Sequence, residues 1–385
     1  MIWVALRMLM GDRAKFFGIV FGVAFATLLM SQQVSIFVSI LQRTTSQIRD
    51  IREPDIWVMD PNVRFIDEVS PLADTDDQRV RGVPGVEWAA KLFKGQVKAR
   101  LAEGNAHDAS GDFRNVILLG LDDANLVGAP RRMILGSLDD LHQNDAIIID
   151  EAGWSYLWPG EPPHRGKILE MNDKRAIVVG VCIAQQPFQS MGIIYTKYSR
   201  ALKYAPPERR QLSFVLVKAH DKQAIPQLCQ AIHKQTRLQA LSSDDFAWQT
   251  IEFYLKNTGI PVNFGITVML GFMVGVAIAG QTFYLFTIEN LKQFGSLKAM
   301  GVSNLRIMSM ILVQALVVGV LGYGIGIGLA GLFFEGTKNV MALKGFHMYW
   351  EVMAGSAIAV LFIVCLASLL SIRRVLILEP AIVFR

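Results

Sequence analysis

Four long segments of this 385-residue chain contain no Asp, Glu, Lys or Arg: residues 16–42, 257–288, 307–334 and 352–372. About 20 residues of α-helix cross a hydrocarbon core of roughly 30 Å, and each segment is longer than that. Core helices of soluble proteins rarely continue so far without one charge. We therefore predict four transmembrane helices. The first segment is too long for the apolar region of a secretory signal peptide, so we expect it to be retained.

The charges outside these segments predict the orientation of the chain in the membrane. Residues 43–256 carry 27 basic and 28 acidic side chains, whereas the rest of the chain carries 11 basic and 5 acidic. Short segments rich in Lys and Arg remain in the cytoplasm. The short segments on the side of the termini hold Arg7, Arg13, Lys15, Lys292, Lys298, Arg306, Arg373, Arg374 and Arg385, whereas the only short opposite loop, residues 335–351, holds two lysines and two glutamates. We therefore expect cytoplasmic termini and an extracytoplasmic 43–256 domain, which is too evenly charged to bind nucleic acid.

The extracytoplasmic segment is predicted to form an α+β domain. Polar residues 43–53 should extend the first helix as a stalk until Pro54, and residues 242–256 should form a second stalk helix. Strands are expected at residues 55–59, 91–101 and 212–218, a turn at 83–86 and a helix at 221–235. Short strand-like runs at residues 116–121, 146–150, 167–171 and 176–181 indicate a mostly β part inserted into this α+β unit.

The predicted fold is membrane α-helical, with four transmembrane helices and an inserted extracytoplasmic α+β domain. Residues 1–53 are expected to hold an N-terminal cytoplasmic helix, the first span and its stalk, and residues 54–241 the outer domain. The remaining parts are 242–288, a stalk with the second span; 289–306, a cytoplasmic coupling loop; and 307–385, the third and fourth spans with a cytoplasmic C-terminus.

No arrangement of residues in the chain predicts catalysis or metal binding. The sequence contains no GxxxxGK[ST], HExxH or GxSxG motif, and its six histidines never have i,i+4 spacing. The adjacent pairs Asp122-Asp123 and Asp139-Asp140 are more typical of solvated loops than of an acid/base pair. We therefore expect no catalytic residue, metal or cofactor in this chain. A disulfide between Cys182 and Cys229 is left open.

Small and polar residues within the apolar segments predict how the spans pack. Glycines at four-residue spacing let helix backbones approach closely, against each other or against a second copy. These glycines are Gly18, Gly22, Gly271, Gly275, Gly322, Gly324, Gly326 and Gly328. The polar side chains at membrane depth, Gln32, Gln33, Gln281 and Gln314, should face protein. Because no charged residue lies within a span, a secondary transporter or ion pump is not expected.

The loop between the second and third spans is the most informative segment. Glu289, Lys292 and Gln293 are expected on one helical face just beyond the second span. Gly295 and Gly301 are expected to break the helix, and Ser303 to cap the next one. A short helix between two spans would act as a lever, because a partner that pushes it moves both spans.

Two motifs of the membrane segments resemble those of a known family. The run from Glu289 to Val302, with Leu297-Lys298-Ala299-Met300-Gly301, resembles the signature of FtsX-type permeases. The C-terminal Arg373-Arg374 with residues 378–381 and Arg385 is similar to the closing motif of the same family. Residues 5–30, together with the strand at 55–58, resemble the DevC branch of heterocyst-type exporters. The chain is thus similar to MacB/FtsX-type permeases, with a MacB-like periplasmic core.

This resemblance implies a non-catalytic permease of the bacterial inner membrane that transmits conformational change. Two copies would pair, each docked to a separate ATPase subunit that binds ATP and magnesium, since this sequence has no P-loop. The residues expected to couple to the ATPase are Glu289, Lys292, Gln293, Phe294, Leu297, Lys298, Ala299, Met300, Gly301 and Val302. A periplasmic adaptor and a TolC-like outer-membrane channel are further expected partners.

Other functions remain open at this point. A lipoprotein-extracting permease of the same superfamily, an FtsX-like regulator of a cell-wall hydrolase and a membrane-anchored enzyme are alternatives. The sequence does not identify the substrate, and glycolipid, drug, peptide, haem and lipoprotein are all candidates. Trp154, Trp158 and Phe188 could line a hydrophobic substrate or pack a core, and the core is the favoured interpretation.

Overall fold

The computed structural model describes residues 2–101, 113–209, 211–338, 340 and 343–376. The predicted closing motif at residues 378–385 and His107 lie outside these residues. The chain divides into two compact units, one of Met1–Ser39 with Gly259–Arg385 and one of Ile40–Thr258. We call them the membrane unit and the outer unit.

The helices and strands are numbered in chain order. The described α-helices are α1 Ile2–Gly11, α2 Arg13–Thr44, α3 Ser46–Asp50, α4 Asp76–Arg81, α5 Glu151–Leu157, α6 Tyr198–Tyr204, α7 Ile225–Thr236, α8 Ser243–Asn257, α9 Ile260–Glu289, α10 Leu291–Ala299, α11 Asn304–Thr337 and α12 Trp350–Leu376. The described strands are β1 Ile56–Met59, β2 Val86–Leu101, β3 Phe113–Leu121, β4 Arg132–Leu135, β5 Ala146–Asp150, β6 Ile168–Met171, β7 Lys174–Ile183, β8 Ile193–Lys197, β9 Phe214–Ala219 and β10 Gln239–Ser242.

Four of the described helices are long and apolar enough to cross a membrane. They are α2, α9, α11 and, within α12, Trp350–Leu369. These are the four spans that the charge-free segments predict. Together with the mixed sheet domain between α2 and α9, they confirm the predicted fold class.

The first helix does not continue unbroken to Pro54, so this part of the stalk prediction is wrong. Helix α2 ends at Thr44, the short helix α3 follows, and the chain leaves the helical conformation at Ile51, before Pro54. The Thr44 and Thr45 hydroxyls donate to the carbonyls of Leu41 and Gln42. The backbone N–H of Thr45 donates to the carbonyl of Gln42, three residues back, where the α-helical ladder of α2 ends.

One sheet of ten described strands organises the outer unit. Its order is β10-β1-β9-β2-β3-β8-β5-β7-β4, and β6 pairs with β2 and β7. The long strand β2 joins the two predicted parts, because its first half pairs with β9 and its second half with β3. The β3–β8 and β5–β7 pairs are parallel, whereas the other described pairs are antiparallel.

Both faces of this sheet are buried. One face packs Trp154 and Trp158, which are 1% and 5% exposed, into a core with Phe93 and Leu169. The core interpretation of these two tryptophans is therefore confirmed. Phe188 is half-buried, with its ring centroid 4.9 Å from that of Tyr254.

The three cysteines are free, so the possible bridge between Cys182 and Cys229 is not formed. Burial raises the pKa of both thiols, that of Cys229 to about 11. Both thiols are therefore protonated near neutral pH.

Candidate functional site

Helix α10 forms the connection between the spans α9 and α11. Helix α9 ends at Glu289, and α10 begins at Leu291 after a short turn. Gly295 lies inside α10, so the prediction that it breaks the helix is wrong. Glycine costs about 1 kcal/mol relative to alanine within a helix, and this is a weaker effect than the tertiary packing of its neighbour Phe294.

The C-terminal end of α10 shows why the FtsX-type motif has a glycine at position 301. Gly301 has φ +86°, a left-handed conformation that other residues rarely adopt. The N–H of Val302 donates to the carbonyl of Leu297 at 3.0 Å, and that of Gly301 donates to the carbonyl of Lys298 at 3.0 Å. These two bonds define a Schellman motif, in which an apolar contact between the flanking side chains is usual. Leu297 and Val302 both pack against one small apolar cluster of Phe294, Ile307 and Ile311.

This apolar cluster fixes α10 to the third span. Phe294 is fully buried against Ile307 and Ile311 of α11. Met8 of α1 also packs on this cluster, a contact that the sequence did not predict. Ser303 occupies the N-cap position of α11 with an extended backbone, but its side chain makes no capping bond.

An ion-pair network joins the end of α9 to the start of α2. The Lys15 ammonium contacts the Glu289 carboxylate and lies 2.7 Å from Asp12 Oδ2. Asp12 occupies the break between α1 and α2. Glu289 is one of the predicted coupling residues, but its pairing with Lys15 was not predicted, because the two residues lie 274 positions apart in the chain.

The predicted coupling residues divide into two groups by exposure. Phe294 is buried, and Leu297, Lys298 and Val302 are half-buried. The exposed members are Glu289, Lys292, Gln293, Ala299, Met300 and Gly301. Leu305, at the start of α11, is 77% exposed and extends this surface with an apolar side chain that sequence analysis did not select.

The glycines predicted to pack helices also divide into two groups. A Cβ on Gly322 or Gly326 would lie 2.7 Å from Val23 or 2.5 Å from Thr27, so α11 approaches α2 closely. Gly22, Gly271 and Gly275 likewise contact side chains of neighbouring helices. Gly18, Gly324 and Gly328 have open space where a Cβ would point.

The four glutamines of the spans do not all face protein. Gln314 is fully buried, and its Nε2 donates to the Ala5 carbonyl at 2.7 Å. Gln32 and Gln33 are half-buried. Gln281 is exposed on α9, so the prediction that it faces protein is wrong for the single chain. Helical periodicity places this side chain away from the Gly271 and Gly275 face that contacts other helices.

Within the outer unit, the two stalk helices are anchored to the sheet domain. Phe246 of α8 packs on Trp57, with ring centroids 5.6 Å apart. From the other stalk, the Arg43 guanidinium donates to Ser190 Oγ at 3.2 Å. The Gln185 backbone N–H donates to the Asp50 carboxylate at 2.8 Å. Burial raises the pKa of Asp50, although this hydrogen bond opposes the shift.

A buried ion pair lies beside a cavity of about 580 Å³ in the outer unit. The Lys94 ammonium donates to Asp67 Oδ1 at 2.5 Å and to the Ile66 carbonyl at 2.8 Å, and the lysine is only 5% exposed. Burial lowers the pKa of Lys94, and the Asp67 carboxylate acts in the opposite direction. This pair could not be predicted from the sequence, since the two residues lie 27 positions apart in the chain.

Three acidic residues of the outer unit, Asp123, Asp140 and Asp150, accept hydrogen bonds that stabilise the fold. Asp150 caps α5 and accepts hydrogen bonds from the backbone N–H groups of Gly153 and Ile193. Asp140 completes a capping box with Ser137, and Asp123 accepts from Ser199. Among the described residues, no group of three His, Cys, Asp or Glu side chains could hold a metal ion.

Comparison with known proteins places the chain in a family. Residues 16–235, more than half of the chain, match the MacB-like periplasmic core domain, and residues 264–380 match the FtsX-like permease C-terminal domain. Four spans, a sheet domain between the first two and a helical connection after the second define a membrane permease with an outer domain. The chain belongs to the MacB/FtsX-type family of ABC transporter permeases.

Two solved structures are similar to the outer part of the chain. The extracellular domain of the noncanonic ABC-type transporter YknZ from Gram-positive bacteria is 14% identical, with TM-score 0.34, and the match covers 49% of this chain and 98% of that one. The periplasmic region of MacB from Actinobacillus actinomycetemcomitans is 20% identical, with TM-score 0.38, and the match covers 53% and 95%. No curated protein sequence matches the chain significantly.

Proposed function

We propose that this chain is the permease subunit of a MacB-like ABC exporter of the DevC branch. A separate ATPase subunit, which binds ATP and magnesium, docks on the exposed residues of α10 and moves the outer unit through the spans and stalk helices. The termini and α10 are cytoplasmic, the outer unit is periplasmic, and the bilayer is the bacterial inner membrane. Substrate is handled by the outer unit and is not carried between the helices.

This proposal rests on the contacts that hold α10 between two spans. Phe294 packs on α11, and Glu289 at the end of α9 pairs with Lys15 of α2. Force applied to the exposed Lys292, Gln293 and Met300 would therefore reach three spans. A helix attached in this way suits the transmission of movement, because packed elements shift as units.

A pair of matched glycine variants tests the coupling role. Gly301 and Gly345 both have positive φ, +86° and +89°, and both have open space where a Cβ would point, but only Gly301 lies beside α10. Gly301→Asp is expected to abolish ATP-driven transport in proteoliposomes that contain the ATPase subunit. Gly345→Asp, which introduces the same backbone strain, should retain most transport.

Two results would contradict the proposal. One is equal transport by the Gly301→Asp variant and the unchanged protein. The other is ATP hydrolysis by the purified chain without a partner. Retention of the Gly301→Asp chain in the membrane, with a melting temperature equal to that of the Gly345→Asp chain, is the control that separates lost coupling from lost folding.

A second copy of the chain is part of the proposed assembly. In its apolar window, α9 has only 17% of its residues buried, against 39–50% for the other three spans. It also exposes Gln281 at membrane depth, where an unsatisfied amide is costly. The homodimer would cover this face and give Gln281 a partner.

The periplasmic adaptor and the TolC-like channel complete the proposed system. Purification of the chain from native membranes in mild detergent should recover an ATPase and an adaptor. Recovery of a cell-wall hydrolase without an adaptor would favour the regulator function. Accumulation of lipoprotein in the inner membrane after deletion would favour lipoprotein extraction.

A further inference from the structure

Helix α1 and the turn before α10 enclose a cleft of about 490 Å³. Residues from the N-terminal helix and from the end of α9 meet there, although they are almost 300 positions apart. The lining residues that carry the argument are Trp3, Arg7, Asp12, Glu289 and Gln293.

The cleft lies at the boundary of the hydrocarbon core. Lys15 is the last charged residue before the charge-free segment 16–42, and Glu289 is the first after the segment 257–288. Their ion pair therefore marks the level at which both spans leave the apolar part of the bilayer. Because Glu289 lines the cleft, the cleft opens at the depth of lipid headgroups.

One wall of the cleft carries hydrogen-bond donors without acceptors. The Arg7 guanidinium lies 4.9 Å from the centre of the Trp3 ring and has no carboxylate or other acceptor among the described residues. A guanidinium on an aromatic face keeps its N–H edge available, and this edge matches the oxygens of a phosphate. The exposed Gln293 amide and the Trp3 indole N–H are further donors that line the cleft.

The lining of the cleft also includes two carboxylates, those of Asp12 and Glu289. Asp12 and Glu289 share the single ammonium of Lys15, which leaves two carboxylates for one cation. The cleft therefore offers a cationic site and a net anionic site side by side. A zwitterion with a phosphate and an ammonium group would complement both.

The exposed apolar side chains of α1 favour a lipid over a soluble ligand. Val4 is 36% exposed and Met10 is 60% exposed, on the same helix as Trp3 and Arg7. Tryptophan, arginine and exposed apolar residues on one short helix are typical of the membrane interface. The Gln314 side chain holds this helix on α11 through the Ala5 carbonyl.

We propose that this cleft binds the phosphoethanolamine headgroup of a membrane phospholipid. The phosphodiester accepts hydrogen bonds from Arg7, with Trp3 and Gln293 as additional donors. The primary ammonium lies near Asp12 and Glu289. Occupation of the cleft would join α1 to the turn that precedes α10.

Lipid titration of the full-length chain tests this site. The delipidated protein in detergent is titrated by native mass spectrometry with phosphatidylethanolamine, phosphatidylglycerol and phosphatidylcholine of identical acyl chains. Phosphatidylethanolamine is expected to bind most tightly, and Arg7→Gln should weaken its binding about ten-fold or more, since a bond to a charged group is lost. Arg13→Gln is the matched control, because this exposed arginine lies at the same boundary without lining the cleft.

Several outcomes would overturn the proposal. Equal binding by the Arg7→Gln variant and the unchanged protein would remove the phosphate site. Equal losses in Arg7→Gln and Arg13→Gln would show only general attraction at the boundary. Phosphatidylglycerol or phosphatidylcholine binding as tightly as phosphatidylethanolamine would remove the ammonium site. If Arg7→Gln weakens binding of the ATPase subunit and leaves lipid binding unchanged, the cleft is a protein docking site. An unchanged melting temperature establishes that each variant is folded.

Discussion

Lys94 and Asp50 are ionisable side chains that the outer unit shields from water. Each has a charged or polar partner. Burial lowers the pKa of Lys94 and raises the pKa of Asp50. The Lys94 ammonium is held by a carboxylate that is itself only partly exposed, whereas Asp50 bears the cost of burial with a backbone N–H as its partner. Neither environment could be predicted from neighbouring residues in the sequence.

Removing the partner of Lys94 should destabilise the outer unit strongly. Asp67→Asn leaves the ammonium buried without a counter-charge, and losses of about 3–5 kcal/mol are typical of a broken buried pair. Chemical denaturation in detergent, followed by tryptophan fluorescence, measures this change. Glu68→Gln is the control, because its partner Arg64 is exposed and exposed pairs contribute little. A loss no larger than that of the control would contradict the buried-pair interpretation.

The raised pKa of Asp50 predicts a dependence of stability on pH. A carboxyl group whose pKa is higher in the folded state binds its proton more tightly there. Its contribution to stability is therefore present below the unfolded-state pKa and is lost as the pH rises through the folded-state pKa. Asp50→Asn, which stays neutral, should raise the melting temperature relative to the unchanged protein at pH 7 and lose this advantage near pH 4. A difference that is constant across this range would contradict the prediction.

At the scale of elements, close approach of helices distinguishes glycines that look alike in the sequence. Gly326 and Gly328 are two residues apart in α11 and belong to the same predicted pattern. A Cβ on Gly326 would lie 2.5 Å from Thr27 Cβ and 2.6 Å from the Ala24 carbonyl, whereas one on Gly328 would meet nothing within 4 Å. The spacing therefore predicts candidates, and the neighbouring helix decides which of them pack.

This difference predicts opposite effects of two alanine substitutions. Gly326→Ala should destabilise the membrane unit by about 1–3 kcal/mol through overpacking against α2. Gly328→Ala should be neutral or stabilising, since alanine is the better helix former. Thermal unfolding in the same detergent compares the two. Equal melting temperatures for both variants would show that α2 and α11 do not approach closely.

Helix α10 shows which features could be predicted from local sequence patterns and which could not. Gly301 was predicted to end the helix, and it does so because its left-handed conformation permits the Schellman bonds. Gly295 was predicted to do the same, but it remains helical because Phe294 beside it is buried against α11. The break of the first stalk at Thr44 and Thr45 was also missed, since threonine hydroxyls bond to nearby carbonyls in unbroken helices as well, as Thr27 does in α2.

At the scale of the whole molecule, the exposed face of α9 predicts where a second copy packs. In a variant without its native cysteines, Gln281→Cys should form a disulfide between copies on mild oxidation in native membranes. Ile358→Cys is the control, because this residue is 68% exposed but lies on α12. Denaturing electrophoresis without reductant measures the dimer. Equal crosslinking at both positions would contradict pairing through α9.

The four spans, the outer domain between the first two and the short helix after the second could all be predicted from the sequence. These follow from local properties, since a charge in hydrocarbon is costly wherever it occurs and a helix can end at any glycine that adopts positive φ. The folded structure was needed to find the Lys15–Glu289 pair, the buried Lys94–Asp67 pair, the packed and open glycines and the cleft beside α1. Each of these depends on residues that are distant in the chain, and their proximity is set by the packing of whole elements.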